Sequence, residues 1–385
     1  LKGVVLVLGM LSISISTYSQ TSSSVLDSVE ALMRVRQYDD ALKLINQSEL
    51  SQPSRKSAYL KGSIYQRLFQ EEKAWISCSE LLSLDSNWTP GLTLSAEVAN
   101  ATGRDTTALV LWQKLVRKYP ESSRYHRQFA STSLRLGVLP LAIHHYEQAV
   151  RLNPFDISSL AQVVELYEGL QNWSVADSMV QRALEYQPAR RELYLLGARI
   201  GYRSERFWTA LPYLESADSL GTLSPTWNEI YGISLYRSGY VEESIPVLRR
   251  LHPNDAEEGP TYVLAMAYYR LEKFDSAAVY FEKAATLATS DELPVYYEFQ
   301  GRSLQSAGYP ELAVNAYKNS YYYDPSDPVF TYLIARAFDE AGNREQAEAY
   351  YKSYIEKETD QESDYYQFSV DRLTQWRRAD FFKGE

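Results

Sequence analysis

Three stretches, VLWQKLVRKYPESS (110–123), IHHYEQAVRLNPFD (143–156) and DSMVQRALEYQPAR (177–190), are variations on one theme. Their prolines Pro120, Pro154 and Pro188 lie 34 residues apart. A small residue stands twelve positions before each proline, at Ala108, Ala142 and Ala176. Followed in both directions, that position reads Ala41, Ala74, Ala108, Ala142, Ala176, Ala210, Ser244, Ala277, Ala313 and Ala347. Four residues beyond each comes a core-type side chain: Ile45, Cys78, Trp112, Tyr146, Val180, Leu214, Leu248, Phe281, Tyr317 and Tyr351. A second, mostly small position precedes each alanine by twelve, running from Val29 and Gly62 to Gly301 and Ala335. Two antiparallel helices approach closely only where neither carries bulk at the crossing, so these two small positions mark helix crossings. Between them lie Gly103, Gly137, Gly239, Gly308 and Gly342, where glycine can take the left-handed turn that ends a helix. Each unit therefore reads helix, turn, helix, turn.

With its 34-residue period, paired small positions, following core residue and closing proline, the chain resembles the tetratricopeptide repeat (TPR) family, in an exported bacterial form. The resemblance covers about ten units. It implies an all-α, right-handed α-solenoid of helix-turn-helix units with a C-terminal capping helix. The pattern departs from the family's at the fourth position of four units, where His126, Asn228, Thr261 and Thr331 replace a bulky apolar residue, and looser packing is expected there. Pro212 and Pro246 are expected early in their helices, where a missing N–H costs little if they fall within the first turn.

The division expected is a signal peptide over 1–19, the repeat array over 20–359, and a capping helix and tail over 360–385. Residues 1–20 join Lys2 to an apolar run from Val4 to about Ile15, and Thr17 and Ser19 suit cleavage before Gln20. That plan predicts export, to the periplasm or the cell surface. The rest of the chain contains no apolar run long enough to cross a bilayer, so the mature chain is expected to lack an integral membrane segment. In the tail, Tyr366, Val370, Leu373 and Trp376 recur at helical spacing and are expected to pack on the last unit, with Gln361, Glu362, Asp371, Arg372 and Arg378 facing water.

The 385 residues carry 39 Lys plus Arg against 49 Asp plus Glu, a net charge of −10 that disfavours nucleic acid as a partner. Phosphate-cradling glycine loops, HExxH and GxSxG are absent from the sequence, which gives an enzyme or a cofactor no support. The single cysteine, Cys78, falls at a core position and is expected to pack rather than react. His144 and His145 point about 100° apart on a helix, a poor metal geometry, and His126 and His252 are assigned to other repeats, so a metal site is not expected.

The resemblance implies that positions 5, 9, 12 and 13 of each first helix line the inner wall. Position 13 carries Arg34, Arg67, Arg135, Arg203, Arg237 and Arg270, and position 12 places Tyr202, Tyr236 and Tyr269 beside the last three. Position 9 adds Arg199, Arg302 and Arg336. Guanidinium forks grip carboxylates and tyrosine offers a rigid amphipathic surface, so a ligand ladder is expected at Arg199, Tyr202, Arg203, Tyr236, Arg237, Tyr269, Arg270, Arg302 and Arg336. Its expected guest is a protein or peptide segment that is acidic or bears a terminal carboxylate. The family's own preference for Tyr then Lys at positions 12 and 13 gives the same residues a scaffold reading, as charge at a helix C-terminus. The function expected is a non-catalytic protein-interaction scaffold of the cell envelope. Alternatives are an exported glycan-binding module, given 32 tyrosines, and a structural subunit of an envelope secretion or assembly complex.

Overall fold

A computed structural model of the protein describes residues 22–48, 54–251, 257–289 and 291–383. The expected signal peptide over 1–19 and His252 lie outside the described residues. Twenty-one helices and their connections make up what is described. They begin with α1 (Ser22–Arg34), α2 (Tyr38–Ser48), α3 (Arg55–Arg67), α4 (Glu71–Leu84), α5 (Thr89–Ala101), α6 (Asp105–Lys118), α7 (Ser123–Arg135) and α8 (Leu139–Leu152). Next come α9 (Ile157–Gly169), α10 (Trp173–Tyr186), α11 (Arg191–Arg203), α12 (Phe207–Ser219), α13 (Pro225–Arg237), α14 (Val241–Leu248), α15 (Glu258–Arg270) and α16 (Phe274–Leu287). The series ends with α17 (Leu293–Ser306), α18 (Pro310–Tyr323), α19 (Val329–Glu340), α20 (Arg344–Lys357) and α21 (Asp364–Lys383). The chain forms two compact units, one ending at Leu166 and the other beginning at Tyr167.

The small residues do what close helix crossing demands. All ten members of the series from Ala41 to Ala347 are fully buried, and the ten core residues four positions on are buried as well. Where the partner position is glycine, the reason is direct: a Cβ on Gly301 would come within 2.5 Å of the buried Tyr317 ring, and one on Gly62 within 3.3 Å of Cys78 Sγ. Cys78 packs as expected, and burial pushes its thiol up to about 11.

Every turn inside a helix pair uses one left-handed residue. Glycines 103, 137, 239, 308 and 342 supply it in five pairs. In the other five it is Arg36, Phe69, Gln171, Glu205 or Glu272, with φ between 55 and 62°. Tertiary packing there overrides the steric penalty that normally reserves this conformation for glycine.

The polar residues at the fourth position are buried, and three of the four described sites are explained differently. His126 bonds to His145 and to the Pro120 carbonyl, and Asn228 Nδ2 donates to the Leu223 carbonyl at 3.0 Å. The Thr331 hydroxyl is buried without a partner. Pro212 and Pro246 do not meet the first-turn condition. Each is the sixth residue of its helix, past the first turn, where the ring removes a hydrogen bond that the helix would otherwise make. The second of these helices, α14, stops after only 8 residues.

Some successive odd helices also touch one another, as α1 with α3, α3 with α5, and α13 with α15 do. Even helices contact chiefly the odd helices that flank them. Helix α21 ends the row by packing Tyr366, Leu373 and Trp376 into the last apolar cluster. Arg372, expected in water, instead makes a two-pronged pair with Asp339 on α19, with both bonds at 2.7 Å.

Candidate functional site

Position 13 of every repeat is the final residue of an odd helix: Arg34, Arg67, Arg135, Arg203, Arg237 and Arg270 close α1, α3, α7, α11, α13 and α15. A cation there meets the negative end of the helix dipole, and its long side chain can reach the preceding repeat. Arg135 does so by pairing with Asp105, the first residue of α6, at 2.9 Å. Arg237 reaches the equivalent place three repeats later, but there the first residue of α12 is Phe207, and the guanidinium carbon sits 5.8 Å from its ring centroid.

Four of the six arginines in the expected ladder are engaged by carboxylates of the chain itself. Arg199 Nε and Arg203 Nη1 donate to the two oxygens of Glu168, at 3.2 and 2.8 Å. The Glu168 side chain is 0% exposed. Arg302 pairs with Glu298 and Arg336 with Glu340, each at 2.7 Å and one helical turn away. The last two are also drawn under the capping helix. Arg302 interacts with the Tyr365 side chain, Arg336 lies 5.6 Å from the Phe368 ring, and Tyr332 stacks on Tyr365 at 4.5 Å.

The tyrosines are partly committed too. Tyr202 and Tyr269 make T-shaped contacts with Phe207 and Phe274, the first residues of the helices that follow, both at 5.6 Å. Tyr236 is only 7% exposed, and the Arg270 guanidinium covers its ring at 4.7 Å. These residues close turns and join repeats, which spends ring surface that a sugar or peptide would otherwise meet.

Arg237 and Arg270 remain. Both are exposed, both rest on an aromatic ring, and neither has a carboxylate within ion-pair distance among the described residues. The half-buried Ile233 and Met266 lie at position 9 of the same two helices and give an apolar strip between them. Glu229, at position 5 of α13, is the carboxylate of this stretch. Its pKa is raised by burial and, secondarily, by Glu257. Sequence reasoning missed Glu168, Glu298 and the Tyr365 and Phe368 contacts. The i,i+4 spacings Glu298/Arg302 and Arg336/Glu340 were a usable signal. Glu168 stands at position 12, one repeat before the arginines it binds, and only the fold brings the three together.

The histidines also differ from expectation. His126 belongs to the same helix pair as His145, and their Nδ1 atoms lie 2.8 Å apart. Because the Pro120 carbonyl can only accept, His126 Nε2 carries the proton, and His145 Nδ1–H then donates to His126 Nδ1. Burial lowers both pKa values, that of His145 to about 4, with further depression of His145 by His126 and His144 and of His126 by His144 and Arg151. Groups of three or more His, Cys, Asp or Glu arranged to hold a metal are absent among the described residues. No described helix is long and apolar enough to cross a membrane.

Comparison with known proteins matches three stretches to family models of the tetratricopeptide repeat: residues 92–122, 262–291 and 300–363. No match is found among curated proteins. Similar solved structures include the C-terminal part of a TPR repeat-containing protein from Cytophaga hutchinsonii, 16% identical, with a TM-score of 0.48 over 73% of this chain and 98% of that one. A tetratricopeptide repeat protein from Parabacteroides merdae is 14% identical, with a TM-score of 0.42 over 65% of this chain and 98% of that one. A chain in the structure of Naa15/Naa10 bound to HypK-THB is 12% identical, with a TM-score of 0.47; 88% of this chain is covered, but it spans only 64% of that chain's length. The chain folds as an all-α solenoid of tetratricopeptide-repeat units.

Proposed function

We propose that the protein is a non-catalytic interaction scaffold that holds a carboxylate-bearing peptide or protein segment against the inner face of α13 and α15. The observation that carries this reading is the contrast within the arginine row. Arg199, Arg203, Arg302 and Arg336 are engaged by carboxylates inside the chain, whereas Arg237 and Arg270 have no carboxylate within ion-pair distance among the described residues. Each is held in place by the ring beneath it, so a guest carboxylate meets a guanidinium already positioned. Ile233 and Met266 between them suit an apolar side chain of the same segment. We further propose that the chain is exported, with residues 1–19 removed before Gln20, and acts in the periplasm or at the cell surface.

The test is calorimetric titration of the full chain with a peptide of alternating leucine and glutamate ending in a free carboxylate. The Arg237→Ala/Arg270→Ala double variant is expected to lose about tenfold or more in affinity, and the wild-type affinity to fall with salt. Equal binding by the double variant, with Arg135→Ala as the control for loss of a surface charge, refutes the assignment.

A further inference from the structure

A second feature lies on a different side of the same stretch of chain. Helices α12, α13 and α14 enclose a cleft of about 520 Å3, a usual size for a ligand site. Its floor is apolar, made by Leu211, Leu235 and Val247. Its α13 residues, Tyr231 and Leu235, stand two positions beyond Glu229 and Ile233 and thus about 200° around the helix from the arginine-row face. Trp208 and Tyr240 form its exposed aromatic walls, and Trp208 is 68% exposed. Glu215 and Glu243 supply its charge, and none of its lining residues is basic. Pro212 adds to this electronegative character, because its ring removes the N–H that would otherwise bond to the Trp208 carbonyl.

Other indoles of the chain show what such a setting accommodates. Arg104 lies over Trp75 at 5.2 Å and pairs with Glu72 at 2.9 Å. Arg55 lies over Trp88 at 5.3 Å and pairs with Asp85 at 2.5 Å. Trp376 receives two arginines, Arg344 and Arg372, which pair with Asp380 and Asp339. In each case one guanidinium bridges an indole face and a carboxylate. At Trp208 the indole and the carboxylates are present, but no arginine or lysine of the described chain lies over the ring.

We infer that this cleft is a docking site for an arginine side chain of a partner's peptide segment, the guanidinium lying on Trp208 between Glu215 and Glu243 and a neighbouring apolar residue on the floor. A planar guanidinium satisfies all three demands together: it stacks on the indole, donates to two acids and reaches the freed carbonyl. The guest differs in charge from that of the arginine row, so the two sites are independent.

The experiment labels the full chain with 5-fluorotryptophan and follows fluorine NMR, using Trp208→Phe to assign the Trp208 resonance. The probe is an acetylated, amidated pentapeptide with a leucine on each side of one arginine, compared with its lysine and glutamate counterparts and with methylguanidinium alone. The arginine peptide is expected to shift the Trp208 resonance saturably, the lysine peptide to bind several-fold more weakly, and the glutamate peptide to leave it unmoved. Glu215→Gln/Glu243→Gln, two exposed changes that leave the core intact, is expected to weaken binding about tenfold. Arg237→Ala/Arg270→Ala is expected to have no effect, which separates this site from the inner face. A flat titration, equal binding by the glutamine variant, or equal affinity for the lysine peptide overturns the inference. Saturation by methylguanidinium with an affinity equal to the peptide's overturns the peptide assignment in favour of a small-cation site.

Discussion

Replacing Glu168 by glutamine tests whether the first rung of the arginine row holds the fold or awaits a guest. The carboxylate is fully buried and accepts from Arg199 and Arg203, whose side chains are 34% and 53% exposed. A hydrogen bond to a charged group contributes about 1.5–3 kcal/mol. Glutamine keeps one acceptor but turns its amide N–H group toward a second donor, so one bond and the charge attraction are lost. Arg203, the more exposed of the two, can rehydrate, whereas Nη2 of Arg199 is already buried without a partner, so the cost stays below the roughly 3–5 kcal/mol of stranding a fully buried charge. The expected loss is therefore about 2 kcal/mol, or about 30-fold in an opening equilibrium. Repeat arrays open locally and need not unfold in one step, so the measurement is amide hydrogen exchange across α11 rather than a global melt. Arg203→Ala removes the more exposed partner and is expected to cost about 1 kcal/mol or less. Glu165→Gln, an exposed site on the same helix, is the control. Protection of α11 unchanged within about threefold in Glu168→Gln would mean that the pair has no net worth, and Arg199 and Arg203 would then count as available to a partner.

Two further outcomes are expected. Gly137→Ala should destabilise its helix pair by about 1 kcal/mol, since φ is 74° with no atom near an added Cβ, while Glu272→Gly should gain up to about 1 kcal/mol by relieving the same strain; exchange rates in α7 and α15 report both. The His126/His145 pair should make the fold acid-sensitive. With folded pKa values depressed below the ordinary 6.5, the pair's contribution is complete above that pH and declines as pH falls toward about 4. A His126→Leu/His145→Phe variant whose acid unfolding curve matches wild type across that interval would disprove the attribution.

Much of the architecture was legible before any coordinates. The register of small residues located the helix crossings, because burial at a close crossing excludes large side chains whatever surrounds it. The position-13 count located the last residue of ten helices, since the period fixes it. Half of the inner turns were less visible. Phe69, Gln171 and Glu272 give no sign of a left-handed backbone, which neighbouring helix packing imposes on them. Whether the two prolines fall within the first turn was open for a similar reason: the repeat pattern marks their register but not where the first turn begins.

The site shows the same division more sharply. The sequence by itself determined which arginines and tyrosines stand at positions 9, 12 and 13 of the odd helices, because that depends only on repeat period and helix geometry. Whether each charge is spent or available depends on what lies one repeat away, and that was decided by the tertiary structure. Glu168 reaches Arg199 and Arg203 across 31 and 35 residues, and Arg372 of the cap reaches Asp339 across 33. The same stacking leaves Arg237 over a phenylalanine where Arg135 meets an aspartate. At Arg237 the neighbouring repeat offers the guanidinium a ring instead of an acid, and that contact exists only in the folded stack.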